Sequence, residues 1–415
     1  MSLHRLFSAS VIVLTLSGLA LAAPSMDPTP ITRDYAPSLD EYPMERDSIA
    51  YPNYYNQTGA SPAKSPAEAR ALGADWLAKV QNNDGGWGAG ALGYASAEQA
   101  SDAATTAITV LALARDAGAT NKHASAIEKG TRYLVNAVKT SDPNSPRLNT
   151  PSNTQPQYKL GQLVDTHLTA LVLAEVSGRF DKDLNDKVSW ALDYCIGKVQ
   201  MAQQADGSFD SQGWAPVLSS SIAAMSLYKA AEAGVDVRRD VLDRSEAYQA
   251  ANVAQGSVNT GAGAGVELYV AAGSFRNSQE AAKRGGRNAD EAEAASEAMR
   301  TKVNGNAQAL MTGFGSVGGE EMLSYMMISE AMAAEGGKQW TEWQTGVGQH
   351  LQSIQNADGS WVGAHCITSP VFVTAGAVLT LSTEPPKGKS GQKGGDSKAE
   401  ATRSTSGSTL VEVSP

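Results

Sequence analysis

One seven-residue string occurs three times in this chain, and it constrains the fold more than any other feature. Gln81-Asn82-Asn83-Asp84-Gly85-Gly86-Trp87, Gln203-Gln204-Ala205-Asp206-Gly207-Ser208-Phe209 and Gln355-Asn356-Ala357-Asp358-Gly359-Ser360-Trp361 all read Q-x-x-D-G-[GS]-[WF]. Each copy follows an apolar pattern at helical spacing: Leu72, Trp76, Leu77 and Val80 before the first, Leu184, Val188, Leu192, Cys195 and Val199 before the second, and Trp340, Trp343, Val347, Leu351 and Ile354 before the third. Asp-Gly favours a turn and Gly reaches positive φ, so the string stops a helix. The aromatic ring anchors the turn, and the glutamine amide is placed to bond backbone groups that the helix end leaves open.

Amphipathic helices are expected at 65–81, 123–139, 184–203, 237–254, 289–303 and 338–355. Ser65-Pro66-Ala67-Glu68 opens the first with a cap, a proline and an acid three residues on. Between them lie segments rich in Ala, Ser, Thr and Val with few charges, at 101–117, 162–178, 216–233, 263–275, 319–335 and 368–382, which read as helices buried on most sides. Members of one kind recur every 47 to 61 residues or so, as in a helical repeat array. The strict alternation implies two layers, and six pairs are a natural number to close a ring. The expected fold is therefore all-α, an (α/α)6 barrel or toroid over 61–383; the rival is an open superhelix of helix pairs.

The three strings resemble the repeat motif of squalene cyclases and protein prenyltransferase β-subunits. The resemblance implies a terpenoid cyclase-like toroid, in which the motif is structural, and it leaves the chemistry open because related toroids serve different functions. The catalytic signatures of that superfamily are missing: there is no D-x-D-D acid, no D-D-x-x-D for magnesium diphosphate and no G-C-G-E-Q thioester. The nearest acidic string, Asp181-Lys182-Asp183, opens an outer helix. Aromatic side chains, which stabilise carbocations, are scattered on the inner segments (Tyr228, Tyr269, Tyr325 and Phe372).

Chemistry, if present, is expected at the rim where the inner helices begin, since helix N-termini favour acidic groups and anions. Asp102, Asp165 and His365 are candidate ligand-binding residues there. Glu320 and Glu321, with Tyr325 one turn on, are a candidate acid–base set, because a carboxyl in a partly dry site has a raised pKa. A zinc site is conceivable from Asp165, His167, His365 and Cys366; it would parallel the Asp, Cys and His ligands of the prenyltransferases with D-x-H in place of D-x-C. Zinc takes N, O and S ligands at about 2.0–2.3 Å. The plainer alternative is that Asp102 and Asp165 cap helices, His167 is an interior histidine, Cys366 packs as a small hydrophobe, and Glu320-Glu321 offset a helix dipole. Asp193-Tyr194-Cys195 is a true D-x-C, but Cys195 falls on an apolar stripe. A Cys195–Cys366 disulfide is not expected, because the two lie in different layers of non-neighbouring pairs.

The chain ends read differently. Arg5, the apolar run Val11–Leu16 and Ala20-Leu21-Ala22 form a signal-peptide pattern over 1–22. Residues 23–60 hold six of the 17 prolines and read as an extended leader, with Asn56-Gln57-Thr58 an incidental glycosylation sequon. Residues 384–415, rich in Gly, Ser, Lys and Thr, read as a disordered tail. The net charge of −10 argues against nucleic acid as a partner, and no mature segment is apolar enough to span a membrane. A secreted or periplasmic monomer is expected. Its function is read as binding a small apolar or isoprenoid-like molecule in a central cavity, with catalysis unproven; the alternatives are a carbohydrate-active lyase or hydrolase acting on a glycan through the rim carboxylates, or an interaction scaffold.

Overall fold

A computed structural model describes residues 63–92, 96–118, 120, 122–209, 213, 215–255, 266–285, 289–312 and 318–385. All of these belong to the unit Tyr51–Pro415. The expected signal peptide and leader, the Asn56 sequon and nearly all of the expected tail lie outside the described residues, as does the start of the expected inner segment at 263.

Thirteen helices run in chain order among the described residues: α1 (Pro66–Lys79), α2 (Ala103–Ala117), α3 (Ala124–Lys139), α4 (Gln155–Leu160), α5 (Val164–Val176), α6 (Lys182–Ala202), α7 (Pro216–Glu232), α8 (Arg239–Gln255), α9 (Val266–Arg284), α10 (Ala289–Thr312), α11 (Gly319–Glu335), α12 (Gly337–Ser353) and α13 (Pro370–Leu381). The sole β-pairing among them is an isolated bridge between Trp87 and Asp102.

Six helices form an inner circuit. α2 packs on α5, α5 on α7, α7 on α9, α9 on α11, α11 on α13, and α13 returns to α2. The other long helices back them: α3 on α2, α6 on α5, α8 and α10 on α9, α12 on α11, and α1 across α13 and α2. The array thus closes on itself, as an α/α toroid requires and an open superhelix does not.

The inner helices pass through the core partly because several of their hydroxyls are satisfied within the helix. Thr109 Oγ1 donates to Thr105 O (2.7 Å), Ser221 Oγ to Val217 O (2.8 Å), Ser324 Oγ to Glu320 O (3.0 Å) and Thr380 Oγ1 to Gly376 O (2.9 Å). Each hydroxyl returns to the carbonyl one turn back, so it needs no solvent. Small side chains also allow close approach: a Cβ on Gly376 would sit 2.5 Å from Met322 Cβ. Every residue of α13 from Pro370 to Leu381 is buried, as is nearly all of α11. The methionines Met322, Met326, Met327 and Met332 are core.

The repeated string is the joint between outer helices. Gln81 Nε2 donates to its own turn at Gly85 O (2.7 Å) and to Ala126 O of α3 (2.9 Å). Gln203 Nε2 does the same with Gly207 O (3.4 Å) and Val241 O of α8 (2.8 Å). Gln355 Nε2 joins Gly359 O (2.8 Å) to Ala69 O of α1 (2.8 Å), tying the last outer turn to the first outer helix. The central glycines stand at φ 89°, 91° and 93°. They lie so close to the next helix that a Cβ would be 2.2–2.9 Å from a carbonyl oxygen of Lys129, Arg244 or Leu72. Trp87 and Trp361 each donate Nε1 to a carbonyl ten residues back (Leu77 and Leu351, both 2.8 Å). Burying such a ring contributes roughly 3 kcal/mol.

Candidate functional site

The inner helices α2, α5, α7, α11 and α13 begin at one rim, and α4 lies there too. α4 is absent from the sequence reading because it is six residues long. Its local signal is a Thr154–Gln157 capping box with Pro156 in the first turn. Gln155, fully buried, donates from Nε2 to Ala89 O (3.0 Å) and Ala91 O (3.1 Å), while Oε1 accepts from Thr368 N (2.8 Å) and Ser369 N (3.1 Å). At its other end Lys159 O accepts from Ala215 N at the start of α7 (2.8 Å). One short helix therefore ties together the entries to α2, α13 and α7.

Asp102 and Asp165 come together here. Asp102 N-caps α2, with Oδ1 accepting from Thr105 N (2.7 Å) and Oδ2 from Ala89 N (2.9 Å). Asp165, in the first turn of α5, accepts from Ala104 N (3.1 Å) and from Gln157 Nε2 (2.5 Å). Burial raises Asp102 to about 6. Burial and the adjacent Asp102 charge raise Asp165 to about 8. Their bonds are helix-start bonds, which is what the plainer reading of these two residues expects.

Glu320, Glu321, His365 and Cys366 gather at the start of α11. Glu321 Oε1 accepts from Tyr269 Oη of α9 (2.8 Å), and Oε2 accepts from Gly318 N (2.9 Å). His365 Nε2 stands 3.8 Å from Glu321 Oε1. Glu320 Oε2 accepts from Ile367 N (3.2 Å), while its Oε1 is buried and has no partner. Burial, then the Glu321 charge, raise Glu320 to about 8, so its carboxyl keeps a proton at neutral pH. Burial and the Glu320 charge push the Cys366 thiol up to about 12, which removes it as a nucleophile at neutral pH. Gly318 and Gly319 are needed for packing here: Cβ atoms on them would lie 2.8 Å from His365 O and from Ile367 Cβ.

Two expectations are corrected. Tyr325 is not the partner of the glutamates; its hydroxyl donates to Leu310 O (3.2 Å) and Met311 O (3.1 Å), because the residue one turn on along α11 faces α10. Tyr269 takes that place; in the sequence it is only one scattered ring among several, because its contact with Glu321 is purely tertiary. The four residues considered for zinc do not fit one ion. Asp165 is held by α2 and α4, His167 Nδ1 pairs with Ser219 Oγ of α7 (3.1 Å), and His365 and Cys366 sit at α11. Among the described residues no group of three or more His, Cys, Asp or Glu is arranged to hold a metal. Burial lowers His167 to about 3, so it is a neutral interior imidazole. Cys195 and Cys366 are both free thiols, as expected.

A surface cleft of about 460 Å³ opens beside the end of α2, lined by Lys122, Glu128, Arg179 and Phe180 among others. Its charges already have partners: Lys122 pairs with Asp75 (3.0 Å), Glu128 with Arg132 (2.8 Å), and Arg179 donates to Ala114 O (2.8 Å). Among the described residues no helix is long and apolar enough to cross a membrane.

Residues 57–147 match the family model of the squalene-hopene cyclase C-terminal domain. The matched stretch holds α1 to α3 and the first copy of the repeated string. It supports placing the chain in the squalene cyclase and prenyltransferase repeat superfamily, with a terpenoid cyclase-like, all-helical toroid. No curated protein matches the chain.

Proposed function

We propose that this chain is an exported binding toroid that takes a small apolar or isoprenoid-like molecule at its polar mouth, between α4, α11 and α13. The observation that carries this reading is Glu320. Its carboxyl is fully buried, holds a proton near neutrality, and leaves Oε1 without a partner. A buried polar atom left unpaired costs about 1–3 kcal/mol, which the hydroxyl or carbonyl of a ligand head would offset. Tyr269, Glu321 and His365 lie beside it, and the half-buried Leu163, Val217 and Val362 belong to the same rim. The chain carries no D-x-D-D string to start a polycyclisation.

Lipid extraction of the purified secreted protein with mass spectrometry, and titration with isoprenoid alcohols, test the proposal. Bound isoprenoid, with affinity reduced at least tenfold by Glu320→Leu, supports it; no affinity for any isoprenoid overturns it. N-terminal sequencing of the exported chain is expected to begin at Ala23. Sedimentation is expected to give a monomer.

A second reading rests on the Tyr269–Glu321–His365 line, which offers a hydroxyl, a carboxylate and an imidazole in sequence, as an acid–base lyase or hydrolase of glycans would use. Polysaccharide screening with wild type and Glu321→Gln decides it: equal activity in both, or none on any glycan, removes it.

A further inference from the structure

Buried polar side chains are normally paired, and the contact between α8 and α9 is a place where they are not. Ser245 Oγ and Gln249 Nε2 on α8, and Ser274 Oγ and Asn277 Oδ1 on α9, are buried without a partner. Ser245 and Gln249 are one turn apart, as are Ser274 and Asn277, so each helix sets a polar pair on one face. Gln249 and Asn277 line a common cavity with Tyr228, Glu246 and Ser278.

The lining selects what fits. Glu246 has its charge matched: Arg284 donates to Oε1 (2.9 Å) and Oε2 (2.8 Å), and Tyr228 Oη also donates to Oε1 (3.2 Å). Glu246 itself calls for no counter-ion; the other carboxylate of the lining, Glu291, is exposed to solvent. Asn277 Nδ2 donates to Ser221 O (3.3 Å), which fixes the amide and turns Oδ1 the other way. Gln249 Oε1 lies 3.5 Å from Ser221 Oγ, which leaves Nε2 as the open group. An open donor and an open acceptor therefore line one cavity. A cation would meet the Gln249 amide hydrogens, an anion would meet Asn277 Oδ1 and Glu246, and an apolar guest would satisfy neither. The space open to the centre of a water molecule is about 10 Å³. That is about what one water requires.

We propose that this cavity is a binding site for a single ordered water, which accepts from Gln249 Nε2, donates to Asn277 Oδ1 and so joins outer helix α8 to inner helix α9. The site is part of how this repeat coheres, and it is independent of the mouth.

A crystal structure of the full chain, at a resolution that shows ordered solvent, is the direct test. A water within hydrogen-bonding distance of both amides is expected. Direct pairing of Gln249 Nε2 with Asn277 Oδ1, pairing of either of these two atoms with another protein group, or a dry cavity overturns the proposal. A double-mutant cycle reads the same link in solution. Gln249→Leu and Asn277→Leu are each expected to raise the unfolding constant roughly ten- to hundredfold, because each strands the water and its remaining partner. The second substitution is expected to add less than tenfold once the first is present. Strictly additive effects overturn the shared water.

Discussion

Arg115, in the last turn of α2, and Glu330, near the end of α11, form a half-buried ion pair at 2.5 Å although 215 residues separate them. α13 stands between their helices in the ring. Glu330 also accepts from Arg276 Nε of α9 (2.8 Å), and Arg115 lies 3.6 Å from Glu175 of α5. Four inner helices are thus tied at the end opposite the mouth, below the short α13.

Removing the shared anion leaves the half-buried Arg115 and Arg276 with only Glu175 (3.6 Å) and Glu280 (2.6 Å) as counter-charges. Glu330→Gln is expected to destabilise by about 1–3 kcal/mol, measured by urea denaturation at pH 7. Burial alone would raise Glu330, but Arg115 and Arg276 outweigh it and hold the group at about 2. A carboxylate depressed in the folded state contributes stability above the usual carboxylate range. That part is expected to disappear as pH falls from about 5 toward 2, and to be missing from the pH profile of the variant.

The mouth carboxyls act with the opposite sign. Asp165 and Glu320 are each raised to about 8, by burial and then by the charge of Asp102 or Glu321. Folding therefore takes up protons. Their contribution is greatest below pH ~4 and is lost as pH rises to about 8, at up to ~1.4 kcal/mol per pH unit for each proton. Asp165→Asn, which keeps an acceptor for Ala104 N, is expected to flatten that slope between pH 5 and 8. An unchanged slope in calorimetry across that range would contradict the assignment.

Gln155 carries the junction between the first and last repeats. Gln155→Ala strands the Ala89 and Ala91 carbonyls and the Thr368 and Ser369 amides. A loss of about 2–4 kcal/mol is expected, with earlier proteolysis between α3 and α5 than elsewhere.

Lys198, on α6, is almost wholly buried and donates to the carbonyls of Asp142 (2.6 Å), Ser145 (2.6 Å) and Arg147 (3.3 Å). Lys198→Met is expected to cost about 2–3 kcal/mol in thermal unfolding. Lys198→Arg is not expected to restore it, because a planar fork does not match three carbonyls converging on one point.

Gly359 tests the repeated string. Its φ of 93° and its closeness to Leu72 O leave no place for a Cβ. Gly359→Ala is expected to destabilise by more than 1 kcal/mol and to loosen the contact of α12 with α1, read by hydrogen exchange at Ala69 and the residues around it.

Most of the architecture was legible in the residues. Apolar spacing placed the outer helices within a few residues of their ends, and α11 over 319–335 matches the expected span. α10 runs on to Thr312, beyond the expected 303, because Asn304-Gly305-Asn306 interrupts the apolar pattern before Leu310 and Met311 resume it. α9 likewise continues past 275 to Arg284. The repeated string announced a helix stop, yet its glutamine turned out to bond the next outer helix, which spacing within one segment does not encode.

Sequence by itself determined the alternation of two helix kinds, the three joints and the acids at the inner-helix starts, because these depend on local periodicity, turn chemistry and composition. Only the tertiary structure decided which acids meet. Asp102 joined Asp165 and Glu321 joined Tyr269 and His365, while His167 and Tyr325 turned away toward Ser219 and α10. A side chain's partner is set by how neighbouring helices rotate and pack about one another, and that rotation is settled by contacts between residues far apart in the chain.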